Sequence, residues 1–413
     1  MSLKIFRFMR SAALAFLAVG LLLSAAWAQK ETVLFNFTGG LNGIAPAAGL
    51  IFDAKGNLYG TTEHGGQHDA GVVFKLTPSG VETVSYTFCR QSDCADGAYP
   101  LGGVIVDAKG NLYGTASEGG NSNGNYCDGG CGVVFKLTPS GKETALYTFC
   151  STQHCADGAE PYAGLVFDKK GNLYGTTVSG GTACQGGTCG YGTVFKVTPW
   201  GEESVLYKFC SLRRCRDGAS PIAGLVFDSE GNLYGTTVAG GAHEDGTVFK
   251  LTPSGKETAL YSFCRQSGCT DGVEPYAGLV LDKKGNLYGT TIAGGGGLCA
   301  EGCGVVFKVT PSGKETTLYS FAGYPDGGES VAGLVLDQEG NLYGTTYYDG
   351  AYKWGSVFRV TPSGKETLSY SFHGYPDGLT PAAGLVFDKK GNLYGTTSAG
   401  GDHDYGTVFK LKP

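Results

Sequence analysis

Charge is scarce in this chain: Asp, Glu, Lys and Arg make up only 16% of its 413 residues, and the net charge is -6. With no basic stripe, nucleic acid is excluded as a partner. Apolar runs are short as well. Beyond the first 28 residues none approaches the roughly 20 needed to span a bilayer as a helix. No stretch of the mature chain shows helical periodicity. Catalytic signatures are missing too: there is no G-x-S-x-G, no H-E-x-x-H, no Walker A loop, and no G-x-G-x-x-G leading into a helix. The glycine run Gly294 to Gly297 has no helix after it. These absences argue against the motif-defined hydrolases, nucleotide-dependent enzymes and helical membrane proteins.

The opening residues read as a targeting segment, with an uncleaved membrane anchor as the alternative that the short apolar run and the good cleavage site argue against. Lys4, Arg7 and Arg10 give a positive start, Ser11 to Ala26 is apolar, and Ala26-Trp27-Ala28 is a small-x-small cleavage pattern. A signal peptide over 1–28 leaves a mature chain of 29–413 and takes the net charge from -6 to -9. No Cys follows the apolar run, which argues against a lipoprotein. The chain stops at Lys412-Pro413 with no C-terminal anchor, so no membrane anchor is expected in the mature form, which is taken as a monomer. The destination is the periplasm or the extracellular space.

Cysteine usage agrees with export. The 14 Cys fall into seven close pairs: Cys89 with Cys94, Cys127 with Cys131, Cys150 with Cys155, Cys184 with Cys189, Cys210 with Cys215, Cys264 with Cys269 and Cys299 with Cys303. Equivalent loops elsewhere lack both partners, as in Ser320-Phe321-Ala322-Gly323 and Ser371-Phe372-His373-Gly374. Joint presence and joint absence is the mark of local disulfides, whereas a zinc site would need ligands from two such loops.

What is abundant is repetition. Gly-Asn-Leu-Tyr-Gly-Thr starts at Gly56, Gly110, Gly171, Gly231, Gly285, Gly340 and Gly391. Periods of this length with β composition indicate a propeller. One unit, 162–209, reads as four strands. Strand a is Gly164-Leu165-Val166-Phe167-Asp168, apolar on both faces, and an Asp-x-x-Gly turn follows it. Strand b is Leu173 to Thr177, strand c is Gly192 to Val197, a Thr-Pro-x-Gly turn follows, and strand d is Ser204 to Phe209. Four antiparallel strands repeated radially make a blade. The glycines opening strand a (Gly49, Gly103, Gly164, Gly224, Gly278, Gly333, Gly384) are expected nearest the axis, where side chains do not fit.

The two ends complement each other. Residues 31–37 read as a spare strand d, and 406–411 as a strand c that lacks one. Their pairing closes a seven-bladed β-propeller, all-β, with the N-terminal strand completing the last blade and no sheet edge left open. An open array of seven modules would leave the spare strand unexplained.

The unit A-G-L-V-F-D-x-x-G-N-L-Y-G-T-T followed by G-T-V-F-K-L-T-P-S-G-K-E-T resembles the GloVer (Gloeo/Verruco) tandem repeat of exported bacterial proteins, over essentially the whole mature chain. The resemblance implies an extracytoplasmic repeat protein and no particular chemistry. Relatives often carry a C-terminal anchoring signal, and its absence here implies a soluble form. The D-x-x-G-N-L-Y core is also similar to NHL, gluconolactonase-like and streptogramin-lyase-like propellers, a likeness confined to one turn and one strand.

Hairpin parity sorts the loops. Turns a-b and c-d share one face and are monotonous. Loops b-c and d-a share the other and hold every Cys, all six His and nearly all length variation. Variable loops on a rigid scaffold are where binding resides. Candidate residues there are Glu63, His64, His68 and Asp69 in blade 1; His243, Glu244 and Asp245 in blade 4; and Asp402, His403 and Asp404 in blade 7. Each group either places a metal ligand or general base near the axis or is a solvated polar loop. In blade 6, Tyr347, Tyr348, Asp349, Tyr352 and Trp354 suit sugar stacking or a protein contact, or else pack over their own loop. Asp96, Asp157, Asp217, Asp271, Asp326 and Asp377 each precede a glycine in a d-a loop. They form either a ring that could bind Ca2+ or another divalent cation at the channel mouth, or simple turns; Asn42 in the first copy favours turns. The strand c bases (Lys75, Lys136, Lys196, Lys250, Lys308, Arg359, Lys410) are expected to pair across strands with the acids opening strand d (Glu82, Glu143, Glu203, Glu257, Glu315, Glu366, Glu31).

These features point to an exported propeller binding a glycan or protein on the variable-loop face. The alternatives are a metal-assisted lactonase or lyase at the axial mouth, and a purely structural surface protein.

Overall fold

A computed structural model describes residues 31–120, 127, 129–181 and 190–412. The proposed signal peptide lies outside them, as do Cys184 and Cys189. Seven sheets, each of four antiparallel strands, succeed one another along the chain. Blades 1 to 6 occupy 51–87, 105–148, 166–208, 226–262, 280–320 and 335–371; blade 7 combines 386–411 with Glu31–Asn36. The N-terminal strand pairs with Thr407–Leu411, Glu31 opposite Leu411 and Asn36 opposite Thr407, and the Phe37 amide continues to the Gly406 carbonyl at 3.0 Å. The ring is closed by the chain's own two ends.

Each residue of the repeated hexapeptide has a packing reason. The first glycine takes φ near +81 to +86° at the end of the a-b turn, a region that suits glycine. In blade 2, the Asn111 amide donates to Asp107 Oδ2 at 2.7 Å, and the Leu112 side chain is buried. The Tyr113 hydroxyl donates to the same carboxylate at 3.2 Å. Gly114 lies opposite Phe135 in the register, and a Cβ there would come within 2.7 Å of the Phe135 ring. The Thr115 hydroxyl donates 2.7 Å to the Ala163 carbonyl of the next blade.

Neighbouring blades are joined by a second repeated contact. The phenylalanine ending strand d of one blade meets the strand c phenylalanine of the next, edge to face, at 4.9–5.1 Å: Phe37–Phe74, Phe88–Phe135, Phe149–Phe195, Phe209–Phe249, Phe263–Phe307, Phe321–Phe358 and Phe372–Phe409. All these rings are buried. Such pairs contribute about 0.5–1.5 kcal/mol each beyond their area burial.

Two expectations need correction. Strand a is only two residues long and half-buried, as at Val166–Phe167. The glycines before it do form a ring: each, given a Cβ, would face the carbonyl of the previous blade's glycine, around to Gly49 against Gly384. Only Gly103 and Gly164 are closed to a side chain, at 2.8 and 2.9 Å; the other five have 3.3–3.6 Å.

The expected Lys–Glu pairs are not made. Lys75 lies opposite Thr83, and Glu82 opposite Leu76, so the two side chains leave opposite faces of the sheet. Lys75 instead sits over the ring of Tyr59, its neighbour on strand b, at 5.9 Å; Lys136, Lys250, Lys308 and Lys410 repeat the arrangement at 5.4–5.7 Å. Such a cation–π contact contributes about 0.5–1 kcal/mol at an exposed site.

Candidate functional site

The loop face is built on the d-a junctions. In the first, Asp96 is buried and accepts from the Tyr86 hydroxyl (2.7 Å) and the amides of Arg90 and Gln91 (both 3.0 Å). Asp157, Asp217, Asp271, Asp326 and Asp377 take the same hydroxyl bond from the strand d tyrosine at 2.6–2.8 Å. These carboxylates therefore hold loops against the outermost strand. Each also accepts from backbone amides of its own loop, so of the two readings the turn, and not the cation ring, is the one these contacts support.

Four of these loops carry the C-x4-C pairs. Cys89–Cys94, Cys150–Cys155, Cys210–Cys215 and Cys264–Cys269 are bonded, as are Cys127–Cys131 and Cys299–Cys303 in b-c loops. The seventh expected bridge, between Cys184 and Cys189, is not among these six. Both Cys184 and Cys189 fall outside the described residues, so that pairing stays an expectation of the sequence. Among the described residues no cysteine is free.

The polar candidates divide by role. Asp69 accepts from the Gly65 amide at 2.8 Å, and Asp404 from the Gly400 amide at 3.0 Å, so each closes its own b-c loop. Asp402 accepts from the Asn36 side chain at 2.9 Å and ties its loop to the closing strand. His64 lies 3.5 Å from Glu63 and edge-on to Tyr99 at 5.3 Å. His68, His243, Glu244 and His403 are exposed. Burial, then Glu244 and Asp271, push the Asp245 carboxyl up against the lowering effect of His243. Among the described residues, three ligand-type atoms come together only as Cys131, Cys150 and Cys155, and as Asp245, Cys264 and Cys269. The sulfurs in both groups are already in disulfides, and the three His/Asp clusters do not converge.

The structure brings together a different set at the inner edge. Just ahead of the axial glycines, Ala45, Tyr99, Glu160, Ser220, Glu274, Glu329 and Thr380 all adopt φ of +53 to +58°. Side chains as different as Tyr99, Glu160 and Thr380 thus share one left-handed backbone position, which is strained for residues other than glycine. Burial raises the Tyr162 phenol, as do Glu160, Glu118, Tyr276 and Glu63, which come from blades 1 and 2 and from two d-a junctions. Burial and Glu160 raise the Glu118 carboxyl, and burial and Asp349 raise that of Glu329. The inner mouth is acidic and lined with tyrosine. Glu118, Glu160, Glu329 and Tyr162 were not singled out from the sequence because their convergence depends on ring closure.

Toward blades 6 and 7 the face becomes aromatic. Tyr324, Tyr348, Tyr352, Trp354, Tyr375 and Tyr405 are each 38–59% exposed. They occupy four loops that follow one another around the ring. Tyr352 lies against His373 with the rings tilted by 34° and their centroids 4.1 Å apart, and Lys353 lies 5.2 Å over the Tyr324 ring. Asp404 raises the Tyr375 phenol through a hydrogen bond, and Tyr347 meets Tyr348 edge-on at 4.6 Å. Tyr347 and Asp349 are half-buried beneath this arc, so blade 6 both packs over its loop and presents rings to solvent. The repeated Gly-Tyr-Pro-Asp at 323–326 and 374–377 was the available sequence sign of Tyr324 and Tyr375.

A cleft of about 1470 Å³ opens on the opposite face across blades 5 to 7, lined by Asp282, Lys284, Asp337, Glu339, Asp388 and Lys389 among others. These are residues of the Asp-x-x-Gly turns that recur in every blade. The cleft is a groove of the common frame, whereas the loop face carries what is particular to each blade.

Among solved structures, the extracellular domain of BT4673 from B. thetaiotaomicron, described as a one-component system, is similar at 10% identity and a TM-score of 0.54, over 91% of this chain and 39% of that one. A second structure of that domain, described as part of a hybrid two-component system, gives 10% and 0.55 over 92% and 39%. The chain thus spans about two-fifths of the BT4673 structures, and the likeness is one of fold. A protein described as a 6-phosphogluconolactonase from Bacteroides uniformis covers 90% of this chain and 93% of its own at 14% identity, but its TM-score of 0.47 carries no argument. No curated protein matches. The model of the Gloeobacter/Verrucomicrobia repeat matches residues 19–188 and 180–409, nearly the whole of the seven-bladed ring. The chain belongs to the Gloeobacter/Verrucomicrobia repeat family.

Proposed function

We propose that this is an exported binding propeller that takes a polysaccharide on its loop face, along the aromatic arc of blades 6 and 7. The observation that carries this reading is the arc itself: six exposed rings in adjoining loops, flanked by Asp402 and Asp404. Aromatic faces offer large rigid contact area at little entropic cost and suit the C–H faces of sugar rings. Carboxylates accept hydrogen bonds from sugar hydroxyls. Six described disulfides fit an oxidising compartment.

The test is a glycan array followed by affinity electrophoresis on the oxidised mature protein. Trp354→Ala and Tyr352→Ala are expected to weaken binding about tenfold each, since truncating an aromatic anchor commonly costs more than about 1 kcal/mol. A blank array, or retention of binding in both variants, removes this reading and leaves a protein partner. A second reading, metal-assisted lactonase or lyase chemistry at the axial mouth, draws on the shared field of Glu63, Glu118 and Glu160. Metal content and lactone hydrolysis by the same preparation test it.

A further inference from the structure

The strand d glutamates, expected to pair with lysines, face something else. In blade 2, the Gln91 side chain donates to Glu143 Oε2 at 3.4 Å, while the Gln91 backbone amide donates to Asp96 Oδ1 at 3.0 Å. Gln266 repeats this between Glu315 (3.4 Å) and Asp271 (3.1 Å). The glutamate of one blade is thus lodged beside the aspartate that anchors the loop of the blade before it. Oε1 of Glu31, Glu82, Glu143, Glu203, Glu257 and Glu366 is out of solvent and has no hydrogen-bond partner. Among the described residues both ion pairs involve histidine, so none of these carboxylates has a lysine or arginine within ion-pair distance.

We propose that the packing of blade on blade is proton-linked: at six junctions a half-buried glutamate faces the aspartate that anchors the loop of the blade before it, and the blades hold together most tightly when the glutamate carries a proton. The pairs are Glu143–Asp96, Glu203–Asp157, Glu257–Asp217, Glu315–Asp271, Glu366–Asp326 and, between blades 6 and 7 on the N-terminal strand, Glu31–Asp377. The seventh junction has Asn42 at the aspartate position, and Glu82 is perturbed by burial alone.

The other groups facing these sites leave the direction unchanged. Each aspartate is hydrogen-bonded to a strand d tyrosine of its own blade, which is neutral throughout the range of interest. Lys208 lowers Glu203 without cancelling its rise. Arg90 and Arg265 act on Tyr86 and Tyr261, and His373 stands 3.3 Å from Asp377. Burial first, and the facing aspartate second, lift Glu143, Glu203, Glu257, Glu315 and Glu366 to about 7 and Glu31 to about 8, with Thr317 partly opposing the rise at Glu315.

The sign follows from linkage. An unfolded glutamate titrates near about 4.3, well below these folded values. Between the two, the folded ring holds protons that the unfolded chain has released, so stability falls as pH rises. The contribution is fully present below about pH 4.3 and is lost as pH rises through 7 to 8.

The experiment is thermal unfolding of the oxidised mature protein from pH 5 to 8.5. The midpoint is expected to fall by roughly 10 °C across that range. Glu203→Gln, which mimics the protonated side chain, is expected to raise the midpoint at pH 8.5 by a few degrees and to flatten the slope; the adjacent exposed Glu202→Gln is expected to change neither. Calorimetry of the unvaried protein at pH 6 in buffers of different ionisation heat is expected to show proton release on unfolding. A midpoint that is flat or rises with pH, no proton release, or Glu203→Gln behaving like Glu202→Gln overturns the proposal. So does a Ca2+-dependent rise in midpoint that Glu203→Gln abolishes, which would assign the paired carboxylates to a cation.

Discussion

The d-a junctions after blades 1 to 4 and those after blades 5 and 6 solve one problem in two ways. In the first group a loop is stapled by Cys-x4-Cys and also anchored by a buried aspartate, as with Cys210–Cys215 and Asp217. In the second the staple is absent and Gly-Tyr-Pro-Asp takes its place, yet the anchor is unchanged: Asp326 still accepts from the Tyr319 hydroxyl at 2.8 Å and from the Ala322 amide at 2.8 Å. The carboxylate is therefore the common structural element, and the disulfide is an addition. Loops freed from the staple are also the ones that present Tyr324 and Tyr375 to solvent, where the aromatic arc lies. Anchoring and display are separable: the loops without the staple keep the same carboxylate anchor while presenting tyrosine to solvent.

Removing the anchor should hurt both groups most. Asp217→Ala strands the Tyr207 hydroxyl and the amides of Ser211 and Leu212, and should cost about 3 kcal/mol, with Asp326→Ala close behind. Denaturant midpoints of the two variants measure this; a negligible cost in the stapled loop alone would make the disulfide the true anchor there. Next comes the shared frame. Gly235→Ala and Gly344→Ala each push a Cβ to within 2.7 Å of a buried Phe ring, Phe249 or Phe358, and should cost about 2 kcal/mol in either half. Unequal costs would show that the halves differ below the loops as well. The staple itself should matter least. Cys264→Ser with Cys269→Ser opens a very short loop and should cost at most about 2 kcal/mol, leaving the fold intact by circular dichroism.

Much of this architecture could be read directly. The period, the turn signatures and the complementary ends led to seven blades with residues 31–37 beside 406–411, and the ladder between Glu31 and Leu411 is where they meet. Six local cysteine pairs were legible because the partners are four or five residues apart. The failures share a cause. Lys75 and Glu82 look like partners along the chain, but the turn sets Glu82 opposite Leu76, and alternation then sends the two charges to different faces. Glu143 and Asp96 belong to different repeats and approach each other across a blade junction, through Gln91, and nothing local reports that.

Period, strand count, turn type and closure were determined by the sequence alone, since each depends on contacts within one repeat or on a match between two visible ends. Tertiary structure decided which side chains share a site: the Glu–Asp pairs, the acidic mouth of Glu118 and Glu160, and the arc from Tyr324 to Tyr405. These depend on how adjacent blades pack against one another, and the phenylalanines that meet across each seam, such as Phe88 and Phe135, are part of that packing.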